Sequence, residues 1–272
     1  MAIRTRREYN KDKEEVRKIN TLKVSADLQK VILLPRMDQF KTGIFTPRLV
    51  VFNETMSQLG KHGIDTAVIW HEAIADRKDE DIASAFYTWI KNLRDVKTLT
   101  IWMDNCTGQN KNWTFYSILF CIVNDQSIDV DEIILKYFVV GHTFMASDSA
   151  HGRIEKATRK MKTVYDFKDF KTCINNANCE FLEMETRHFN GWKPVATQYQ
   201  LSKMEDKRPC IEQIVYVRVK KGDDAFHYKK DLLDKEIAVF FTRPNGFEIL
   251  KQKQLEVSHC KKRNKSSKNL FL

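Results

Sequence analysis

The chain has 272 residues, of which 42% are hydrophobic and 11% aromatic, enough for one large core or a core with a small appendage, and this excludes a disordered protein. Its formal net charge of +10 sits at the two ends: residues 1–20 carry seven Lys and Arg against four acids, residues 251–272 carry seven against one, and the stretch between is close to neutral. The longest apolar run, "FYSILFCIV", is far short of the ~20 residues that span a bilayer, and the charged start lacks the apolar centre of a secretory signal. Six Cys without an export signal read as reduced thiols, so the expected compartment is the nucleus or cytoplasm, with no membrane partner.

In chain order, "RREYNKDKEEVRKIN" has a helical pattern and is expected as a basic arm over residues 1–20. "TLKVSADLQKVIL" (21–33), "PRLVVFNET" (47–55) and "DTAVIWHE" (65–72) read as strands from their Val, Leu and Phe content. "DEDIASAFYTWIKNL" (79–93) places Ile82, Ala85, Phe86, Trp89 and Ile90 at helical spacing behind an acidic first turn. "TLTIWMD" (98–104) is a fourth strand, "NWTFYSILFCIV" (112–123) a helix buried all round, "DEIILKYFVVGH" (131–142) a fifth strand and "SDSAHGRIEKATRKMKTV" (147–164) another helix. Beyond this the signal weakens: "YDFKDFKTCINNA" suits a helix, "FNGWKPVATQY" a loop, and "IEQIVYVRVKKG" and "KEIAVFFTRP" two strands of a small C-terminal unit over 189–250. A basic tail follows over 251–272.

The order βββαβαβα over 21–188 is that of a ribonuclease H-like mixed sheet with helices on both faces, in which the first and fourth strands lie side by side. Fold alone licenses no activity. It does make a chemical demand. Two divalent cations about 3.5–4 Å apart on a phosphodiester need carboxylates from strand one, from the end of strand four and from the last helix.

Those acids are present. Asp27 is the single acid of strand one, Asp104 ends strand four, and Asp148 and Glu155 lie on the helix after strand five. An acid inside an apolar strand is costly unless paired or ligated. Asp104 also suits an Asx turn or the N-cap of the next helix. Asp148 and Glu155 share a helix face but are ~10.5 Å apart along the axis, so one ion does not take both unless the helix starts after Asp148. Asp148 suits a capping role, which leaves Glu155 as the preferred third ligand, with His151 one turn earlier to orient it or to meet a phosphate oxygen. The expected metal set is Asp27, Asp104 and Glu155, with Asp148 in reserve, and the ion is Mg²⁺ or Mn²⁺. Arg153, Lys156, Arg159 and Lys160 on the same helix, and Lys261, Lys262 and Arg263 in the tail, suit phosphate contacts; a solvated basic helix face is the plainer reading.

"DNCTGQNKN" (104–112) and "GHTFMASDSAHGRIEK" (141–156), together with "SADLQKVILLPRM" and "VIWHEAIADRKDEDIAS", resemble the signatures of a large animal domain family, abundant in insect and cnidarian genomes and similar to transposase cores of the ribonuclease H-like class. The resemblance runs over residues 20–245. It implies DNA as partner and nominates Asp27, Asp104 and either Asp148 or Glu155, but brings no established activity. Longer members have an extended, often Cys-rich upstream region, whereas about twenty residues precede strand one here; a fragment, a truncated copy and a retained core are all compatible with that.

Other chemistries have less support. Cys173 and Cys179 have no matching pair at zinc-finger spacing, the nine Gly are scattered singly rather than forming a phosphate loop, and Trp113, Phe115, Tyr116 and Phe120 read as core. Two readings remain: a metal-dependent nuclease or strand transferase, and a catalytically silent descendant that binds nucleic acid or protein through its basic arms; a homo-oligomer is compatible with either.

Overall fold

The computed structural model describes residues 2–15, 18–37, 47–61, 63–106, 109–139, 144–193 and 209–240. Its centre is a ten-stranded mixed sheet. β1 (Thr21–Leu28) pairs in parallel with β6 (Thr98–Met103), which pairs in parallel with β7 (Glu132–Tyr137). On its other side β1 runs antiparallel to β4 (Leu49–Gln58), and β4 antiparallel to β5 (Asp65–His71). The first and fourth long strands are therefore neighbours, as the element order demands.

Helices cover both faces, which is why β6 is buried at nearly every position rather than at alternate ones. α2 (Asp79–Asn92) and α3 (Trp113–Asn124) lie on the face that carries Leu22, Val24, Ala26, Ile101 and Met103. Residues 115–124 of α3 are all buried, in keeping with its all-apolar sequence. α4 (Ala146–Met161) and α5 (Phe167–Asn176) cover the opposite face over Val51, Ala67 and Ile69. No helix among the described residues is long and apolar enough to cross a membrane.

Several elements differ from the sequence reading. The stretch 21–33 breaks after Leu28, and its end forms β2 (Ile32–Leu34), which pairs with β4. Arg36–Met37 (β3) pairs with Thr163–Val164 (β8), which ends α4 short of 164. β9 (Glu180–Glu183) joins β5 in parallel; its four residues are too few and too acidic to announce a strand. "FNGWKPVATQY" contains a packed residue rather than only loop: Trp192 is buried, and its ring and backbone N–H groups donate to Ser84 and Glu80 of α2 at 2.9 Å each.

The last strands were expected as a separate small unit. Instead β10 (Tyr216–Lys220) pairs antiparallel with β7, and β11 (Ala225–Lys229) and β12 (Ile237–Phe240) continue the same sheet. Val217, Val219, Phe226 and Tyr228 share the main core, so the sheet has no break near residue 188. The tail at 251–272 lies outside the described residues.

The basic N-terminal arm is a docked helix, α1 (Ala2–Glu14), rather than a free one. Its buried residues Thr5, Tyr9 and Asp12 form one stripe at helical spacing. Tyr9 packs edge-on against Trp102 and Phe138, with ring centroids 5.3 and 5.0 Å away. Asp12, 6% exposed, accepts from Trp102 Nε1 at 2.9 Å, Lys136 Nζ at 2.7 Å and Lys23 Nζ at 2.5 Å. Burial alone would raise this carboxyl, but the bonds from Lys136 and Lys23 outweigh it and hold Asp12 below the usual carboxylate range.

A carboxyl depressed on folding adds stability that is present above its unfolded value and is lost as pH falls through the folded one. Asp12→Asn should therefore lower stability by roughly 3 kcal/mol near neutral pH, because it leaves two buried ammonium groups without their shared partner. The loss should shrink below about pH 4, where the unfolded carboxyl is itself protonated. Denaturant unfolding followed by Trp fluorescence across pH measures both; a pH-independent difference would count against the ionic seat.

Candidate metal centre

The parallel register sets Ala26 against Met103, so the next residues, Asp27 and Asp104, come together at the carboxyl ends of adjacent strands. Asp104 does not cap the following helix. That role falls to Asn112, whose Oδ1 accepts the Phe115 N–H at 2.8 Å, while Asn110 Nδ2 donates to Asp104 at 3.1 Å.

α4 brings the third acid. Its first three amide groups are satisfied by three different elements: Met145 N–H donates to Asp148 at 2.7 Å, Ala146 N–H to the Tyr9 hydroxyl at 2.8 Å, and Ser147 N–H to the Ser25 hydroxyl at 3.1 Å. Ser25 lies two residues before Asp27 and so on the same face of β1. α1 and β1 thus fix the turn that presents Asp148 and His151. The result is a group of Asp27, Asp148 and His151 whose candidate ligand atoms all lie within 4.8 Å of one another. His151 Nδ1 is 3.6 Å from Asp27 Oδ2.

The electrostatics are those of a site that lacks positive charge. Burial, then the charges of Asp104 and Asp148, push the Asp27 carboxyl up to about 7. Burial lowers His151 to about 4 against the pull of Asp148, so its imidazole is neutral at physiological pH, and its buried Nε2 has no hydrogen-bond partner. Among the described residues, no ion pair brings a Lys or Arg to Asp27, Asp104 or Asp148. Two carboxylates and a neutral imidazole with an unpartnered nitrogen make a donor set that fits a divalent cation.

Glu155 is placed elsewhere. Its carboxylate takes two parallel bonds from Arg36, both 2.8 Å, and a third from Arg159 at 3.1 Å; the Arg36 bonds hold it below the usual range. Asp148 takes the expected capping bond and also lies in the group with Asp27 and His151, while Glu155, expected as the third ligand, is an ion-pair partner of Arg36. Of the basic residues expected on phosphate, Arg153 binds Asp65 and the Ala177 carbonyl, and Arg159 binds Glu155, whereas Lys156 and Lys160 are exposed. Lys261, Lys262 and Arg263 lie outside the described residues.

Two residues were missed. Glu54, 2% exposed, is held well above the usual carboxylate range by burial and by the charges of Asp27 and Asp104, which favours its protonated form. Its signal was present, an acid between Phe52 and Met56 in an apolar strand, the same kind that marked Asp27. Lys111 is fully buried, with Nζ 2.6 Å from Asn105 Oδ1, 2.9 Å from the Glu212 carbonyl and 5.2 Å from the Tyr137 ring centroid. It ties the loop after Asp104 to the C-terminal segment.

Fold and site together define a mixed α/β protein with an acid and histidine centre at the mouth of its parallel strands. The chain belongs to the family described as a domain of unknown function (DUF7869), which matches residues 81–246. The match takes in Asp104, Asp148 and His151, and Asp27 and Glu54 precede it. No curated protein matches. Among solved structures, "Crystal structure of NurA with manganese" aligns over 82% of this chain at 10% identity with a TM-score of 0.19, and the chain spans 45% of that protein's length. A likeness of that size carries no argument about fold or activity.

Asp148→Asn should weaken Mn²⁺ binding by about tenfold or more, whereas Glu155→Gln should leave it unchanged and cost less than about 1 kcal/mol, as half-exposed ion pairs do. Calorimetric Mn²⁺ titration and thermal unfolding of both variants separate the two; equal loss of affinity in both would return Glu155 to the centre.

Proposed function

We propose that the protein is a divalent-cation-dependent nuclease or strand transferase with a ribonuclease H-like, transposase-derived core that acts on nucleic acid, DNA in the first place. The observation that carries this reading is the convergence of Asp27, Asp104 and Asp148 with neutral His151 at the carboxyl ends of β1 and β6. The strand order β5-β4-β1-β6-β7, with two parallel and two antiparallel pairings, supports the ribonuclease H-like assignment.

Asp27, Asp148 and His151 would hold the ion. An imidazole among the donors favours Mn²⁺ over Mg²⁺, which prefers oxygen alone. A bound cation would supply charge to polarise a phosphodiester and to generate an attacking hydroxide near neutral pH. Asp104, fixed by Asn110 beside Asp27, would extend the carboxylate set toward a second ion or take a proton from the attacking oxygen. Work on nucleic acid would place the protein in the nucleus or cytoplasm.

The test combines Mn²⁺ calorimetry with cleavage of short DNA duplexes. The unaltered chain should bind Mn²⁺ and yield product; Asp27→Asn should lose both, and Asp104→Asn should lose product while it retains most Mn²⁺ affinity. Mn²⁺ binding without product under any duplex or strand-transfer assay would favour the catalytically silent binding module, and no Mn²⁺ binding would refute the metal centre.

A further inference from the structure

Gly152 sits in the interior of α4, four residues after Asp148 and next to His151, where glycine is the costliest residue short of proline. Two other described glycines have internal reasons. A Cβ on Gly63 would come within 2.5 Å of the Gln58 carbonyl oxygen, and Gly222 has a positive φ of +79°. Neither reason applies to Gly152: its backbone is that of the surrounding helix, the residue is exposed, and a Cβ there would meet no heavy atom within 4 Å. Nothing among the described residues requires the missing side chain.

We infer that Gly152 is kept bare by something outside the chain: a nucleic-acid strand whose sugar–phosphate backbone crosses α4 at this position on its way to the Asp27, Asp148 and His151 group. This rests on the metal-dependent reading above and adds to it the surface along which the substrate lies. Three observations support the placement. Residues four apart share a helix face, so Gly152 lies one turn along from Asp148, the acid that would hold the cation. Lys156 follows one further turn along on the same side, exposed and in no ion pair among the described residues, and Lys160 one turn beyond that. A polyphosphate passing Gly152 would therefore meet the cation on one side and ammonium groups on the other, the pattern that backbone recognition needs. Finally, the neighbouring cations Arg153 and Arg159 are held by Asp65 and Glu155, which draws their guanidinium groups into the protein's own contacts.

The experiment uses the full chain and two variants, Gly152→Ala and Gly152→Leu. Both residues are good helix formers and their Cβ meets no described heavy atom within 4 Å, and the Tm of each variant reports that it folds. Three quantities are read: Tm, Mn²⁺ affinity by calorimetry, and affinity for labelled single-stranded DNA and RNA with hydrolysis-resistant phosphorothioate linkages, by fluorescence anisotropy in Mn²⁺. Gly152→Ala should raise Tm by about 2–4 °C, and neither variant should change Mn²⁺ affinity. Oligonucleotide affinity should fall slightly with Ala and by about tenfold or more with Leu, the size of effect expected when a contact in a close-packed interface is forced apart. The polymer that shows the loss identifies the substrate as DNA or RNA. A Leu variant that binds both oligonucleotides as well as the unaltered chain overturns the inference while the metal centre stands. An unaltered chain that binds Mn²⁺ but neither oligonucleotide does the same, and one that binds no Mn²⁺ overturns both.

Discussion

The parallel pairing of β1 with β6 is the constraint on which the rest of the site depends. Once Ala26 lies against Met103, Asp27 and Asp104 have nowhere to go but the same edge of the sheet. Two carboxylates in a partly dry space repel each other, and the first turn of α4 then adds Asp148. A fold can tolerate this in two ways, by protonating an acid or by holding a cation. The raised Asp27 carboxyl and the raised Glu54 carboxyl are the first response, the one open to the chain by itself. The second would return Asp27 to its charged form and give the neutral His151 imidazole a partner.

Parts of the chain remote in sequence hold this arrangement in place. Tyr9 on α1 accepts the Ala146 N–H, and Ser25 on β1 accepts the Ser147 N–H, so the N-terminal helix and the first strand together decide where Asp148 points. Lys111 does the equivalent work for Asp104. It bridges Asn105 and the Glu212 carbonyl, and the Tyr137 hydroxyl donates to the Asn110 carbonyl at 2.9 Å, which fixes the amide that touches Asp104. Burial lowers Lys111 to about 8, a sign of how dry its setting is. The C-terminal segment therefore supports the site as well as the sheet, which accounts for its packing as an extension of the core rather than as an appendage.

Legibility in the sequence followed the strength of local pattern. The long strands, α2 and α3 could be read because apolar spacing over six or more residues has few alternatives. β9 and β11 could not: four or five residues with acids, His or Lys among them look like loop until a neighbouring strand supplies their hydrogen bonds. Asp27 and Asp104 were visible because each breaks or ends an apolar run. Glu54 carried the same signal but had no motif beside it to draw notice. The choice between Asp148 and Glu155 was beyond reach, because it turns on Arg36, 119 residues from Glu155 in sequence, and on where the α4 turn is anchored by Tyr9 and Ser25. Tertiary partners decide such cases, and helix periodicity does not contain them.

Two buried charge clusters among the described residues, around Asp12 and around Asp27, differ in a way that separates structure from function. Around Asp12 every charge has its complement: two ammonium groups and an indole N–H converge on one carboxylate, and the lysines have Glu15 and Glu8 as second partners. Such a cluster fixes the position of α1 and asks nothing of the solvent. Around Asp27 the sum does not close among the described residues, since acids meet acids, the neighbouring imidazole is neutral and one of its nitrogens is unpartnered. Gly152, an unforced glycine in a helix, lies beside this second cluster and not the first. Sequences that fold reliably keep local choices consistent with the global structure, so violations that gather at one place mark where something other than folding has selected the residues. Here an acid inside a strand, an unsatisfied imidazole and a bare helix turn gather at the mouth of β1 and β6, and that coincidence is a stronger argument for a working site than any of the three alone.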